Sequence, residues 1–502
     1  MTRAAISSLI IGTLTLGGCA VGPRYEAPDL PPPAAEAFVE NSVGTTRDAA
    51  AEDWWRLYDD PVLDRLVQEA LQHNTDLRVA LANVAEARAA LSEAANGRLP
   101  TTEVNSSYNR RRIAGGAGAL GAGGGAVGGG GVGGGQLGGG GEAFELDLFS
   151  LGFDASYEVD LFGRVSATID AARADRDAAI AAFEAAQVMV TADTTLAYAR
   201  LCGAAVQQDA ARETAELQQR TLDLTQRLVT GGRGTRADTD RARVLLEQAR
   251  AQIPAFEGER RASLYALSAL TGRTPQEADR AAAACRSLPD LTTPIPVGDG
   301  AALLARRPDV RQAERALAST AAQVGIVTAD LYPRISLLGS ASLVSTTVDG
   351  LADDDAFGFS LGPLISWSFP NMGAVRARIR QADARADAAL AEFDGTVLTA
   401  LTETEQALAR YSASLERRDR LADAAAAGER AAELTRLRYD AGADSLFLLV
   451  DAERTAAEVR AQLAAAKGDV VEAQVALFRA LGGGWQNAGT PVQRDMSAQA
   501  NP

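Results

Sequence analysis

The sequence predicts a mainly α-helical chain with a membrane β-barrel portion: a duplicated helical-hairpin repeat whose long helices and four membrane strands per chain need further copies of the chain to complete a barrel. Three observations predict it. Two proline-free stretches, Gly163 to Gly232 and Gly373 to Gly442, each span 69 positions (232 − 163 and 442 − 373). Short motifs around them recur at constant offsets. Between those motifs the hydrophobic period changes from helical to alternating.

Composition limits the function classes first. The 502 residues carry a net charge of −16, which disfavours nucleic acid as a partner. Aromatic residues make up only 5% and alanine is abundant, so long helices packed through small side chains are expected rather than a core of large residues. His73 is the sole histidine, and no Ser/His/Asp set or Cys/His metal spacing exists, so neither enzyme chemistry nor a metal site is predicted.

The chain opens as a signal peptide, residues 1–18: Arg3 precedes an apolar run from Ile6 to Leu16 that is too short to span a bilayer. Leu16-Gly17-Gly18-Cys19 resembles a bacterial lipobox, which implies Cys19 as a lipidated N-terminus bearing diacylglycerol and an N-acyl chain, with no other cofactor. Ala20 after it, where an Asp is missing, resembles lipoproteins sent on to the outer membrane. Residues 19–60 read as an extended, proline-rich tether and equatorial segment. Repeat 1 covers 61–272, with a helix from Pro61 to about Gly97 broken near His73-Asn74, strands at about 101–112 and 145–161, a long helix 163–231 and a return helix 235–271. An equatorial linker, 273–300, leads to repeat 2 at 301–483. That holds a helix 301–330, strands at about 334–346 and 357–369, a long helix 373–441 and a return helix 445–481, before the tail 484–502.

The repeat is read from matched marks. Asn74-Thr75-Asp76-Leu77 recurs as Arg307-Pro308-Asp309-Val310, and Arg98-Leu99-Pro100 as Leu331-Tyr332-Pro333, both at offset 233. Gly163 and Gly232 map to Gly373 and Gly442 at offset 210. The difference of 23 (233 − 210) falls where the first copy holds the Gly-rich insert Gly115 to Gly141, read as a flexible loop because no Gly-Lys-Ser/Thr follows it. Asp353-Asp354-Asp355 reads as a solvated loop.

Phe149, Leu151, Phe153, Ala155, Tyr157 and Val159 alternate with polar or small residues, as do Phe357, Phe359, Leu361, Pro363, Ile365, Trp367 and Phe369. Strands of ten or so residues with aromatics near the ends are the mark of a membrane barrel. Four strands cannot close one, and open edges are not tolerated in lipid. An eight-stranded dimer would have a filled interior, whereas a twelve-stranded trimer leaves a lumen.

Each long helix carries a heptad-like seam, Leu390 to Leu415 in one copy and Leu217, Thr221, Leu224 and Leu228 in the other. Each ends in a glycine turn, Gly231-Gly232-Arg233-Gly234-Thr235 or Ala441-Gly442-Ala443-Asp444-Ser445, with charges clustered beside it. Cys202 and Cys285 are left open between a disulfide and two half-buried thiols, the latter at least as plausible.

Together the lipobox, the duplicated hairpin plan and the tip motifs resemble the TolC-like outer-membrane efflux factors, specifically their lipoprotein branch serving RND-type pumps. The resemblance covers nearly all of the mature chain. It implies a 12-stranded β-barrel and a long α-helical barrel, both completed by trimerisation, in a homotrimer held in outer-membrane lipid, lipid-anchored and integral and extending into the periplasm, that conducts small molecules such as drugs passively. A periplasmic adaptor (membrane fusion) protein and an inner-membrane RND-type pump are the implied partners. By position, Asp238 and Tyr439 match the family's tie between neighbouring hairpins, and Asp451 matches one carboxylate of its innermost constriction. Leu448 stands where the family's gate has its other aspartate and Asp444 where it has a basic residue, which leaves Arg241 or Arg243 for the closing contacts. Gly231, Gly232, Gly234, Ala441 and Gly442 would face the adaptor. Two rival readings share parts of this pattern: a channel of a protein or polysaccharide secretion system, and a non-channel periplasmic helical lipoprotein or adaptor, which would lack paired membrane strands.

Overall fold

In a computed structural model of the chain, the structure describes residues 21–23, 25–28, 36–40, 43–113, 144–370 and 372–486. The signal peptide, Cys19, the insert 115–141 and the tail beyond 486 lie outside these residues. In chain order the elements are β1 (Thr45–Thr46), α1 (Pro61–His73), α2 (Thr75–Asn96), β2 (Thr101–Ile113), β3 (Phe144–Val159), α3 (Arg164–Thr230), α4 (Arg236–Leu270), α5 (Arg280–Ala283), β4 (Ile295–Pro296), α6 (Gly300–Arg306), α7 (Pro308–Ala329), β5 (Arg334–Ser345), β6 (Phe357–Ser366), α8 (Met372–Asp440) and α9 (Leu446–Ala480). Among the described residues no helix is long and apolar enough to cross a membrane. The chain divides into two compact units.

One unit, Met1–Glu26, Ala87–Arg176 and Ala316–Leu390, holds a four-stranded antiparallel sheet in the order β2-β3-β5-β6. Each repeat supplies one hairpin, and the two hairpins join through β3 and β5, where Phe153 faces Ala341. The outer edges of β2 and β6 have no partner strand within the sheet. β3 stops at Val159, short of the expected 161, because Asp160 turns out of the ladder to cap α3: its carboxylate accepts from the Val165 amide (3.0 Å) and from the Ser166 amide (2.8 Å) and hydroxyl (2.7 Å). β6 likewise ends at Ser366 rather than 369, since its partner β5 begins at Arg334, opposite Ser366. The helices of this unit approach closely through small residues; a Cβ on Gly325 would lie 3.5 Å from the Ala167 methyl.

The other unit, Ala27–Glu86, Asp177–Arg315 and Ala391–Pro502, contains the main apolar core. Trp54 stacks on Phe478 with ring centroids 4.6 Å apart, and Leu63, Leu66, Leu201, Leu267, Leu303, Leu408 and Leu477 pack around them. Two phenols carried into the core are paired: the Tyr58 hydroxyl donates to Gln474 Oε1 (3.1 Å) and the Tyr198 hydroxyl to Asp60 Oδ2 (2.8 Å), whereas the buried Trp54 Nε1 has no hydrogen-bond partner among the described residues. The tether is extended only in part. Backbone ties hold part of it: the Val39 and Glu40 amides donate to the Glu405 carboxylate (2.7 and 3.1 Å), and β1 pairs in parallel with β4 of the inter-repeat linker.

Two expectations change in this unit. The helix expected at 301–330 is two helices, α6 and α7, because Arg307 precedes Pro308 and is held extended (φ −64°, ψ 121°), as a residue before proline prefers. Cys202 and Cys285 are not free thiols; they form a disulfide. The long helices, 67 and 69 residues, rise roughly 100 Å each. In α8 the expected seam is buried at Phe393, Val397, Ala400, Thr404, Leu408 and Tyr411. In α3 the buried stripe is instead Ala215, Gln218, Leu222 and Thr225 with Thr221, while Leu217, Leu224 and Leu228 are half-buried.

Candidate functional site

The sheet presents two chemically opposite faces, which follow from the strand pleat and the register. On one face lie Val104 and Tyr108 of β2, Phe149, Leu151, Phe153, Ala155, Tyr157 and Val159 of β3, Ile335, Leu337 and Leu343 of β5, and Phe357, Phe359, Leu361 and Ile365 of β6. These apolar groups are not covered by the chain itself; Phe359 is 78% and Leu361 74% exposed. From the Phe149 row to the Val159 row is about 33 Å along the strand, which a tilt near 40° projects to about 25 Å, the height of an outer-membrane apolar band. Aromatic pairs border it: Tyr108 stacks on Phe149 (4.8 Å) at one margin, and Trp367 on Phe369 (5.0 Å) and Phe162 on Tyr332 (4.7 Å) lie towards the other. Beyond Tyr108 the same face turns ionic, with Arg110 paired to Glu145.

The opposite face mixes exposed Leu338, Val344 and Leu364 with hydroxyl, amide and carboxyl groups that bond across strands. Ser107 meets Ser150 (2.7 Å), Ser340 meets Ser360 (2.9 Å), and Asn105 Nδ2 donates to Asp154 (2.6 Å). One side of the sheet therefore suits hydrocarbon and the other suits water.

The hairpin tips belong to the second unit and are built alike. α3 ends with the Arg233 amide donating to the Leu228 carbonyl (2.8 Å) and the Gly232 amide to the Val229 carbonyl (3.0 Å). α8 repeats this with Ala443 to Arg438 (2.8 Å) and Gly442 to Tyr439 (2.9 Å). These pairs satisfy the last carbonyls, and the residue between them must be left-handed, which glycine permits at Gly232 (φ +72°) and Gly442 (φ +74°). Gly231 and Gly234 flank the first turn, as Ala441 does the second.

The return helices start differently. Thr235 caps α4 in a reciprocal box: its hydroxyl accepts from the Asp238 amide, while Asp238 Oδ2 accepts from the Thr235 amide (3.0 Å) and hydroxyl (2.7 Å). These bonds, with Arg241 at 3.7 Å, hold the Asp238 carboxyl below its usual range. Within the chain, the Asp238 carboxylate closes its own helix start. Burial raises the Tyr439 phenol, Asp440 and Asp238 add to that and Arg233 opposes it, so Asp238 and Tyr439 are within electrostatic reach. In the second copy Leu448 falls on the position of Asp238 (238 + 210), and Ser445 accepts from the Leu448 amide (3.4 Å) with no carboxylate to return the bond. Asp444 makes a two-pronged pair with Arg438 (2.8 and 3.0 Å), which lowers its carboxyl. Asp451 pairs with Arg454 (2.8 Å) and Arg243 with Asp240 (3.8 Å), each within one helix.

One carboxylate beside the second tip is buried. Glu453 belongs to the charge cluster beside the second tip, yet it is 8% exposed. Its Oε2 accepts from the Thr221 hydroxyl of α3 (2.8 Å) and its Oε1 pairs with Arg436 of α8. A single buried carboxylate on α9 therefore ties helices of both repeats just behind the tips. No local sequence signal marks it, because a Glu among Asp and Arg residues at a helix start reads as a solvated face.

Comparison with known proteins agrees with this arrangement. The chain is 32% identical to outer membrane protein OprJ of Pseudomonas aeruginosa over 491 residues, covering 96% of each. It is 29% identical to the toluene efflux pump outer membrane protein TtgI of Pseudomonas putida, over 94% of this chain and 97% of that protein. Among solved structures, the outer-membrane channel OprN superposes with a TM-score of 0.83 at 35% identity, over 93% of this chain and all of that one. The outer membrane efflux protein family matches residues 66–273 and 301–483, the two halves that carry the strands and tips just described, and the chain belongs to that family.

Proposed function

We propose that three copies of the chain form the outer-membrane exit duct of a tripartite efflux pump. The observation that carries this reading is the sheet: apolar on one face, hydroxyl-bearing on the other, and unpaired at both edges. Such a sheet is stable in lipid only when copies join edge to edge, β6 of one to β2 of the next. Three copies give twelve strands and a water-filled lumen. The long helices line a periplasmic conduit, and a pump with its adaptor meets the tips formed by Gly231 to Thr235 and Ala441 to Ser445. No chemical step occurs. Solute diffuses out once the hairpins part, and apolar small molecules of the kind named for the relatives are the first candidates. Diacylglycerol and an N-acyl chain on Cys19 add a second hold on the membrane.

Purified protein in planar bilayers tests the reading. Discrete conductance from SDS-resistant trimers is expected, together with greater drug susceptibility of a strain lacking the gene. Protein that inserts but conducts nothing, even with its tips disrupted, would refute it.

A further inference from the structure

Cys202 lies fully buried on α3 and Cys285 half-buried after α5, 83 positions apart, with Cα atoms 5.3 Å from each other. Around the bond, the inter-repeat linker is otherwise held by weaker ties. Asp279 meets Arg65 (2.9 Å) and caps α5 through the Ala282 amide (2.8 Å), Arg273 reaches Glu69 (2.9 Å), and Leu288 rests over Gly203. Half-exposed ion pairs of this kind contribute little individually. The disulfide is the one covalent tie between linker and long helix.

We propose that this bond is a maturation step, made by thiol–disulfide exchange with a protein disulfide oxidase outside the cytoplasm once the core has begun to close over Cys202, and that it holds the linker in place. The compartment rests on the export reading. Burial sets the order of events. Cys202 is inaccessible in the folded chain, whereas Cys285 keeps access to solvent, so the Cys285 thiolate attacks the oxidase disulfide and expels one oxidase thiolate. The Cys202 thiolate then attacks the Cys285 sulfur of this mixed disulfide and expels the second. The two cysteines lose two protons and two electrons, and the oxidase disulfide becomes a dithiol.

The first test uses the full chain in outer membranes, acid-quenched, denatured and treated with a maleimide-polyethylene glycol. With the Cys19 sulfur blocked as its lipid thioether, no thiol should react before reduction and two should react after it; reaction of both Cys202 and Cys285 without reductant overturns the proposal. A failure of export shows separately, as unprocessed chain in the cytoplasm. Cys202→Ser should accumulate a reductant-sensitive adduct between Cys285 and the oxidase, and Cys285→Ser much less; equal yields overturn the order. In folded trimers, trypsin should cut after Arg280 or Arg286 about tenfold faster in the double serine variant than in the parent. Where that variant does not fold, phosphine reduction of folded parent protein should give the same acceleration. Unchanged cleavage overturns the holding role.

Discussion

Asn74 and Arg307 hold the same object with different chemistry. Asn74 Nδ2 donates to the Leu270 carbonyl at the end of α4 (3.1 Å), and Arg307 Nη1 donates to the Ala480 carbonyl at the end of α9 (2.9 Å). The two carbonyls are 210 positions apart (480 − 270), the offset of the tip glycines. Each residue also opens the next helix. Asn74 Oδ1 accepts from the Asp76 and Leu77 amides (2.8 and 3.2 Å), while Arg307 grips the Asp309 carboxylate (3.0 and 2.7 Å) and reaches Glu403 (2.8 Å).

Replacing these residues should therefore have unequal effects. Asn74→Ala removes a neutral cap and one tie, costing about 1 kcal/mol. Arg307→Ala removes a buried guanidinium that bridges two part-exposed carboxylates and the Ala480 carbonyl, which keeps only the longer Thr404 bond (3.4 Å), costing about 2 kcal/mol. Thermal loss of the trimer band, read at fixed scan rate, should fall further for Arg307→Ala. The reverse ranking would show that the junction is held by apolar packing.

This junction also shows what was legible in the sequence. Asn74 and Arg307 share a motif position, and helix lengths, strand alternation and glycine turns are local features that survive in one chain. The phase of the α3 seam was not legible, because alanine and threonine carry too little hydrophobic contrast to fix which stripe faces inward. Cys202 and Cys285 were not either, since 83 intervening residues say nothing about proximity. The burial of Glu453 was not legible either, because it depends on Thr221, 232 positions away.

The Glu453 tie should restrain the tips. Glu453→Leu strands Arg436 and frees the Thr221 hydroxyl, so α3 and the second hairpin lose a buried charged fastener behind the tips and keep the exposed Arg200–Glu472 pair further along the rods. Bilayer recordings should show longer or more frequent openings than the parent, with Thr221→Ala giving a smaller change in the same direction. Identical gating in both variants would assign Glu453 to stability alone.

The two tips differ by one carboxylate, and that difference can be reversed. Asp238→Ala breaks the reciprocal cap of α4 and should cost about 1 kcal/mol of local stability. Leu448→Asp should build the missing half of the box with Ser445 and stabilise the start of α9 by about 0.5 to 1 kcal/mol. Hydrogen exchange of the first-turn amides reads both: faster in the first variant, slower in the second. The pH dependence follows from sign. The Asp238 and Asp444 carboxyls are depressed in the folded chain, so their contribution is present above the unfolded carboxylate range and is lost as pH falls through the folded value. Acid should loosen both tips, and Asp444→Asn should leave the second tip less sensitive to it. Equal acid sensitivity in that variant would place the response elsewhere.

The two faces of the sheet predict opposite outcomes for one substitution. Phe359 and Ser340 are on adjacent strands but point to opposite sides, since Phe359 pairs with Ala341 and Ser340 with Ser360. Phe359→Arg puts a guanidinium into the apolar band, where a mid-height arginine costs about 2 to 4 kcal/mol, and a trimer repeats that cost three times. Ser340→Arg adds the same group to the hydroxyl-bearing face, where water solvates it. The first variant should give little heat-resistant trimer in the outer membrane. The second should assemble at parental yield and shift reversal potential towards anions, because three added charges then line one lumen. If Ser340→Arg abolished assembly while Phe359→Arg was tolerated, the faces would be inverted, and with them the route of the solute.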